Sequence, residues 1–357
     1  MNDVSMSTTI AATLLILSIS SLVAGAQSSP TALQRLTTLD AKQMAAVERG
    51  EAVAVTLDSP EKTEIATLGV VRLEAPRAFY VEHVRQLTGF LTTGTKSQSG
   101  SFDVPARLED VASMSIDASD AKALEKCQPL RCDVKLPAAE MERFRSVLAK
   151  SHDPLPRADS LMREWIVGYV NAYRADTSEE TVVYDDTRGS VRSSEVFRTL
   201  LAEPMPPGIE SEPFTSMLAV PRTARPPAAS SRISWEMNHV PGLKPMLQVI
   251  ERFMLALPSR PDQSWMASKL LYASHYFESE VEYVTVADAP SAAGQGASYL
   301  IVLRRQKFDD LPSGGLFNIR GKAVKKLREA LRTALTNTRA DIAVAYTTPP
   351  TAPSHAP

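Results

Sequence analysis

Cysteine is nearly absent from this chain of 357 residues, which holds only two. A disulfide-dense scaffold is therefore excluded, and the fold must rest on a hydrophobic core. An excess of charge of one sign is missing too: 39 basic residues stand against 41 acidic ones, a net charge of −2. A surface so close to neutral gives no general attraction to nucleic acid. Catalytic signatures are missing as well. There is no G-x-S-x-G elbow, no H-E-x-x-H zinc helix, no phosphate-binding glycine loop and no dinucleotide fingerprint, so neither a metal nor a cofactor is implied. The pattern S-x-x-K occurs twice, at Ser59 to Lys62 and Ser119 to Lys122, without its companion motifs. Both serines read as turn or helix-start residues.

Long apolar runs are also lacking, with one exception. Ile10 to Val23 is apolar but diluted by serines, shorter than the roughly 20 residues a membrane crossing needs, and followed by the small residues Ala24-Gly25-Ala26. We expect residues 1–26 to be a removable signal peptide cut after Ala26, placing the protein in the periplasm or outside the cell. The segment before the run has no Lys or Arg and carries Asp3, the one charge among the first 26 residues; a start at Met6 in place of Met1 would remove it. No cysteine follows the cut, so a lipoprotein anchor is not indicated. A buried N-terminal helix is the alternative.

Cys127 and Cys132 flank a short loop containing Pro129. An oxidising compartment favours a disulfide between them, and a loop so small gives about 2 kcal/mol. Free thiols, a redox pair or half of a metal site remain alternatives.

Along the chain, Asp40 and Gln43 form a capping box for a short helix that ends at Gly50. Strand-like runs follow at Glu51 to Leu57 and at Thr63 to Leu73, the second broken at Gly69. Pro76 opens a helix through His83 to about Leu91, and Thr92 to Gly100 reads as a loop. Residues 117–175 are helical in pieces separated by prolines. Trp165, Tyr169 and Tyr173 recur every four residues there, a spacing that marks core. A short strand near Thr181 to Tyr184 and a helix from Ser193 to Leu201 complete a helical insertion of about 117–202. Seven prolines between 204 and 227 predict an irregular surface connection or a domain linker.

Five strand-like runs follow, Arg232 to Met237, Lys244 to Leu257, Ser264 to Phe277, Glu278 to Val286 and Tyr299 to Arg305, joined by short links as in an antiparallel meander. The clearest helix runs from Arg320 to Ala343, with Val324, Leu327, Leu331, Leu335 and Ile342 as its buried stripe. Residues 346–357 are rich in proline and read as a disordered tail. The fold class is thus α+β, in a single discontinuous domain over 27–345.

Some groupings invite a chemical reading. Glu278, Glu280 and Glu282 alternate on one strand and share a sheet face, most simply the wet one. His275, among Tyr272, Tyr276 and Phe277, reads as a half-buried histidine bonded to backbone. The basic side chains between Arg320 and Arg339 face one acid, Glu329, and suit peripheral contact with anionic lipid through 320–339.

In layout the chain resembles the START-like helix-grip (SRPBCC) proteins. The residues that carry this are Arg49-Gly-Glu-Ala-Val-Ala-Val55, then Gly69-Val-Val-Arg-Leu-Glu-Ala-Pro76 leading into a helix, then the meander and the helix after Gly321. Cys127 to Pro137 is similar to segments of uncharacterised exported bacterial families. The helix-grip resemblance implies a curved antiparallel sheet wrapped on the terminal helix, with an apolar cavity between them for lipids or other hydrophobic ligands. Trp265, Tyr272, Tyr276, Leu327 and Leu331 are the candidate pocket residues. The leading expectation is an exported, non-catalytic binding protein for such a ligand. An envelope interaction protein with a packed core is one alternative, and a hydrolase whose site assembles only in three dimensions, around His275 or His239, is the other.

Overall fold

A computed structural model describes residues 38–348 except 86, 88, 93–95, 176–182, 187–188, 207–208, 210–213, 215–216, 219–228, 240–242, 256–260, 292–295 and 313–317. The expected signal peptide, the last nine residues and most of the proline-rich connection lie outside the described residues.

The architecture is α+β, built on one large antiparallel sheet. Helix α1 (Ala41–Glu48) opens on the expected capping box: Asp40 Oδ1 accepts from the Gln43 N–H and Gln43 Oε1 from the Asp40 N–H, at 2.8 and 2.9 Å. Gly50, at φ +83°, turns the chain out of it. Strands β1 (Val53–Leu57) and β2 (Glu64–Leu73) lead into α2 (Arg77–Arg85), then β3 (Lys96–Ser101). The helical insertion supplies α3 (Ala118–Leu124), α4 (Ala138–Leu148) and α5 (Pro154–Arg174), a hairpin of β4 (Val183–Asp186) with β5 (Gly189–Arg192), and α6 (Ser193–Ala202). The meander is β6 (Ala229–Asn238), β7 (Met246–Leu255), β8 (Gln263–Ala273), β9 (Phe277–Ala289) and β10 (Ala297–Phe308), and α7 (Ile319–Thr347) closes the described chain. The sheet order is β1-β2-β10-β9-β8-β7-β6-β3, with every neighbouring pair antiparallel.

Both faces of this sheet are covered, so its strands read as near-continuous apolar runs and not as a clean alternation. On the back face, Leu68, Trp265, Tyr283, Tyr299 and Ile301 pack with Val47 of α1, Phe197 of α6 and Phe214. Farther along the same face, Trp235, Val249 and Tyr272 meet Trp165, Ile166 and Val170 of α5. On the front face, Val71, Met266, Val284, Leu300 and Val302 pack with Tyr80 and Val84 of α2 and with Leu331, Leu335 and Ile342 of α7.

Four sequence expectations change. Gly69 does not break β2, which runs through it in register with β1 and β10. Its missing side chain admits α7 instead: a Cβ there would stand 2.6 Å from Leu335 Cδ1 and 2.9 Å from Leu331 Cγ. The Thr/Ser/Gly-rich loop contains strand β3, an edge strand paired with β6, where Gly100 lets the Trp235 indole approach and donate to Asp110 O at 2.9 Å. The helix after Pro76 stops at Arg85, short of Leu91. Within the proline-rich stretch, Ile209, Phe214, Met217 and Leu218 are buried against the back face, so this segment caps a core and does not merely skirt it.

Candidate ligand site

Register aligns a polar row across the front face. Arg232 of β6 stands opposite Arg252 of β7, followed by Ser268, Glu282, Arg304, Thr67 and Thr56 on β8, β9, β10, β2 and β1. Two residues along, the matching row is Ser230, Met254, Met266, Val284, Val302, Gly69 and Ala54, nearly all apolar. A charged belt thus borders the apolar half of the sheet that α2 and α7 cover.

Apart from Arg232, the charges on and beside this belt are paired. Arg304 donates to Glu282 Oε2, Gln306 Nε2 donates to Glu280 Oε2 at 2.9 Å, and Arg252 donates to Ser234 Oγ while standing 3.5 Å from Glu236. Burial pushes the Glu280 carboxyl above its ordinary value; Arg304 and the Gln306 bond oppose the shift, and Glu282 and Glu236 add to it. Burial alone would lower Arg304, yet Glu282 and Glu280 outweigh it and hold its guanidinium above the usual value. The charge of Glu236 reaches both Glu280 and Arg304. Glu282 is buried and Glu280 half-buried, so the two line a partly desolvated face, not the wet one, and the bulge at the start of β9 puts Glu278 out of step with them.

A cavity of about 380 Å³ opens on this face. The end of α2 and the segment after it form one wall, with Val84, Arg85, Leu87 and Phe90; β6 and β7 form the other, with Arg232, Ser234, Arg252 and Met254. Tyr80 fixes the first wall by donating to Phe90 O at 2.5 Å. The Thr92 N–H donates to Thr338 Oγ1 of α7 at 2.8 Å, which ties the same segment to the terminal helix.

None of the five pocket candidates read from sequence lines this cavity. Trp265 points to the back face, beneath α6 and the Phe214 segment. Tyr272 also faces back, with its ring centroid 4.8 Å from that of Trp165. Tyr276 sits in the β8–β9 turn at φ +66° and accepts from the Lys244 N–H at 2.7 Å. Leu331 is pressed onto Gly69, and Leu327 is half-buried one turn earlier on α7. The five are scattered because the sheet has two covered faces and because α7 lies too close over β2 to leave space at that point. The residues that do line the cavity, Arg232, Arg252 and Met254, alternate visibly along predicted strands. What the sequence could not supply was the register that places the two arginines opposite one another.

His275 is buried more deeply than expected. Its Nδ1 stands 3.0 Å from Asp133 O and its Nε2 2.8 Å from Asp120 Oδ2. The Asp133 carbonyl can only accept, so Nδ1 carries a hydrogen, and Nε2 is held against the buried Asp120 carboxyl, which leaves both ring nitrogens engaged. Lys244 Nζ lies 3.4 Å from Asp120 Oδ1, completing a polar tie between α3 and the sheet. Cys127 and Cys132 are bonded as a disulfide with a Cα–Cα distance of 4.6 Å. Among the described residues no group of three or more His, Cys, Asp or Glu side chains is placed to hold a metal ion, and no helix is long and apolar enough to cross a membrane. On α7, Lys322, Lys325, Lys326, Arg328 and Arg332 are exposed, and Glu329 bonds Arg332 at 2.6 Å.

No family model matches the sequence, and no curated protein matches it. Among solved structures, the crystal structure of Ara h 8.0201 matches at 11% identity over 42% of this chain and 91% of that chain, with a TM-score of 0.18. A likeness so slight carries no argument about fold or function.

Proposed function

We propose that this protein is an exported, non-catalytic binding protein for a small hydrophobic molecule or lipid, held on the concave front face of the sheet. The single observation behind this reading is the cavity of about 380 Å³ with Val84, Leu87, Phe90 and Met254 in its walls. That volume falls at the lower end of the ~300–1,000 Å³ typical of small-molecule pockets, which are mostly apolar with a few placed polar groups. The order of elements supports a helix-grip-like arrangement, in which an antiparallel sheet bears a long C-terminal helix on one face. Here the ligand space sits beside that helix, under α2 and the Phe90 segment. Export is supported by the Cys127–Cys132 pair, since disulfides persist in oxidising compartments. A passive role is supported by His275, which is buried with both ring nitrogens engaged by Asp133 O and Asp120 Oδ2.

Native mass spectrometry of protein purified from its own host tests the reading. A co-purifying apolar molecule that is lost when Met254→Trp fills the cavity is the expected result. Bare protein in every preparation, with the same mass in both versions, would count against it.

A further inference from the structure

Arg232 and Arg252 stand directly opposite one another on adjacent antiparallel strands, so both guanidiniums emerge on the same face of the sheet. Like charges in that position repel. Arg252 is anchored, donating to Ser234 Oγ and lying 3.5 Å from Glu236. Arg232 is exposed and has no hydrogen-bond or ion-pair partner among the described residues. Across the cavity, Arg85 brings a third guanidinium, whose contact with Glu82 at 3.2 Å is solvent-exposed at both ends and so screens little of its charge. The hydroxyl of Ser234, which Arg252 bonds, adds a polar group on that side, whereas Ser230 stands on the Met254 row. Beyond the arginines the lining turns apolar, through Phe90 and Met254. One end of the cavity is therefore cationic and the other is greasy.

We propose that the cavity takes a single-chain amphiphile with a monoanionic headgroup, of which a medium-chain fatty acid is the type. The inference rests on the ligand-binding reading above and adds to it the charge and orientation of the ligand. The carboxylate sits between Arg232 and Arg252, where it relieves their repulsion and can take the forked, two-bond geometry that guanidinium offers. The chain runs past Phe90 and Met254 towards α2. Glu236, already beside Arg252, offsets part of the positive charge, which suits a single negative charge better than the double charge of a phosphate monoester.

Titration calorimetry of the full chain with octanoate and with 1-octanol, at neutral pH and low salt, separates the two ideas. The two probes share a chain and differ in charge. The wild type binds octanoate at least about tenfold more tightly than octanol, in line with a charge-assisted hydrogen-bond pair. Arg232→Gln, an exposed change that leaves the core intact, loses the preference for octanoate over octanol. Equal binding of the two probes by the wild type, or an undiminished preference in Arg232→Gln, overturns the headgroup assignment and leaves the ligand-binding reading in place. Binding of neither probe overturns both.

Discussion

Glu280 shows how a side chain's neighbours decide what its sequence pattern means. The alternation of Glu280 with Glu282 places both on one face of β9. Whether that face is wet or enclosed depends on what packs around it, and no local pattern states it. In the folded protein burial raises the Glu280 carboxyl above its ordinary value of 4.5, against the opposing pull of Arg304. The folded state therefore holds this proton more tightly than the unfolded chain does. Stability falls as pH rises through the window above 4.5, and the loss persists at higher pH. Glu280→Gln keeps an oxygen to accept from Gln306 and removes the titration. Thermal melts across pH should show the variant melting higher than the wild type at about pH 7.5, with the gap closing as the pH drops to the ordinary carboxylate range. A gap that does not vary with pH would mean that Glu280 is not the group under strain. His275 carries a related lesson. Its burial among aromatics was legible, but Asp120 and Asp133, more than 140 positions away in the chain, could not be assigned to it before the fold was known.

At the scale of elements, the strongly periodic segments were the legible ones. The capping box of α1, the aromatic ladder of α5, the meander strands and the long helix α7 lie close to where the sequence puts them, though the β8–β9 turn at 274–276 falls inside a run read as one strand and Val324 and Leu327 of the α7 stripe are only half-buried. Elements whose identity depends on a distant partner were not legible. β3 is a strand because β6 offers it an edge, in spite of its Ser, Thr and Gly content. Ile209, Phe214, Met217 and Leu218 form a cap because the back face needs cover, in spite of the prolines around them. The contact of α7 with β2 is of this second kind. Leu331 and Leu335 descend into the space that a side chain would fill at Gly69. Gly69→Ala should thus overpack the contact and cost about 1–3 kcal/mol in chemical denaturation. Unchanged stability would show that the helix stands off the sheet.

At the scale of the whole molecule, a single antiparallel sheet is covered on both faces, and the front face is divided by a charged belt into an apolar half and a half rich in paired charges. The helix-grip resemblance implies ligand space beneath the terminal helix. The close approach at Gly69 fills that position. A cavity opens where α2 ends at Arg85 and the chain crosses to Phe90, against the front face of β6 and β7. Fold class and layer order could be argued from residue patterns. The location of the cavity could not, since it depends on strand register and on where a helix stops. Ligand binding at this place requires that the cavity accept an apolar chain. The most direct test is a titration of protein carrying ¹³C-methyl methionine with 1-octanol, followed by NMR and assigned with Met254→Leu. A saturable shift of the Met254 methyl, with Met237 and Met246 unmoved, is the predicted result. A silent Met254, or shifts spread evenly over the methionines, would contradict it.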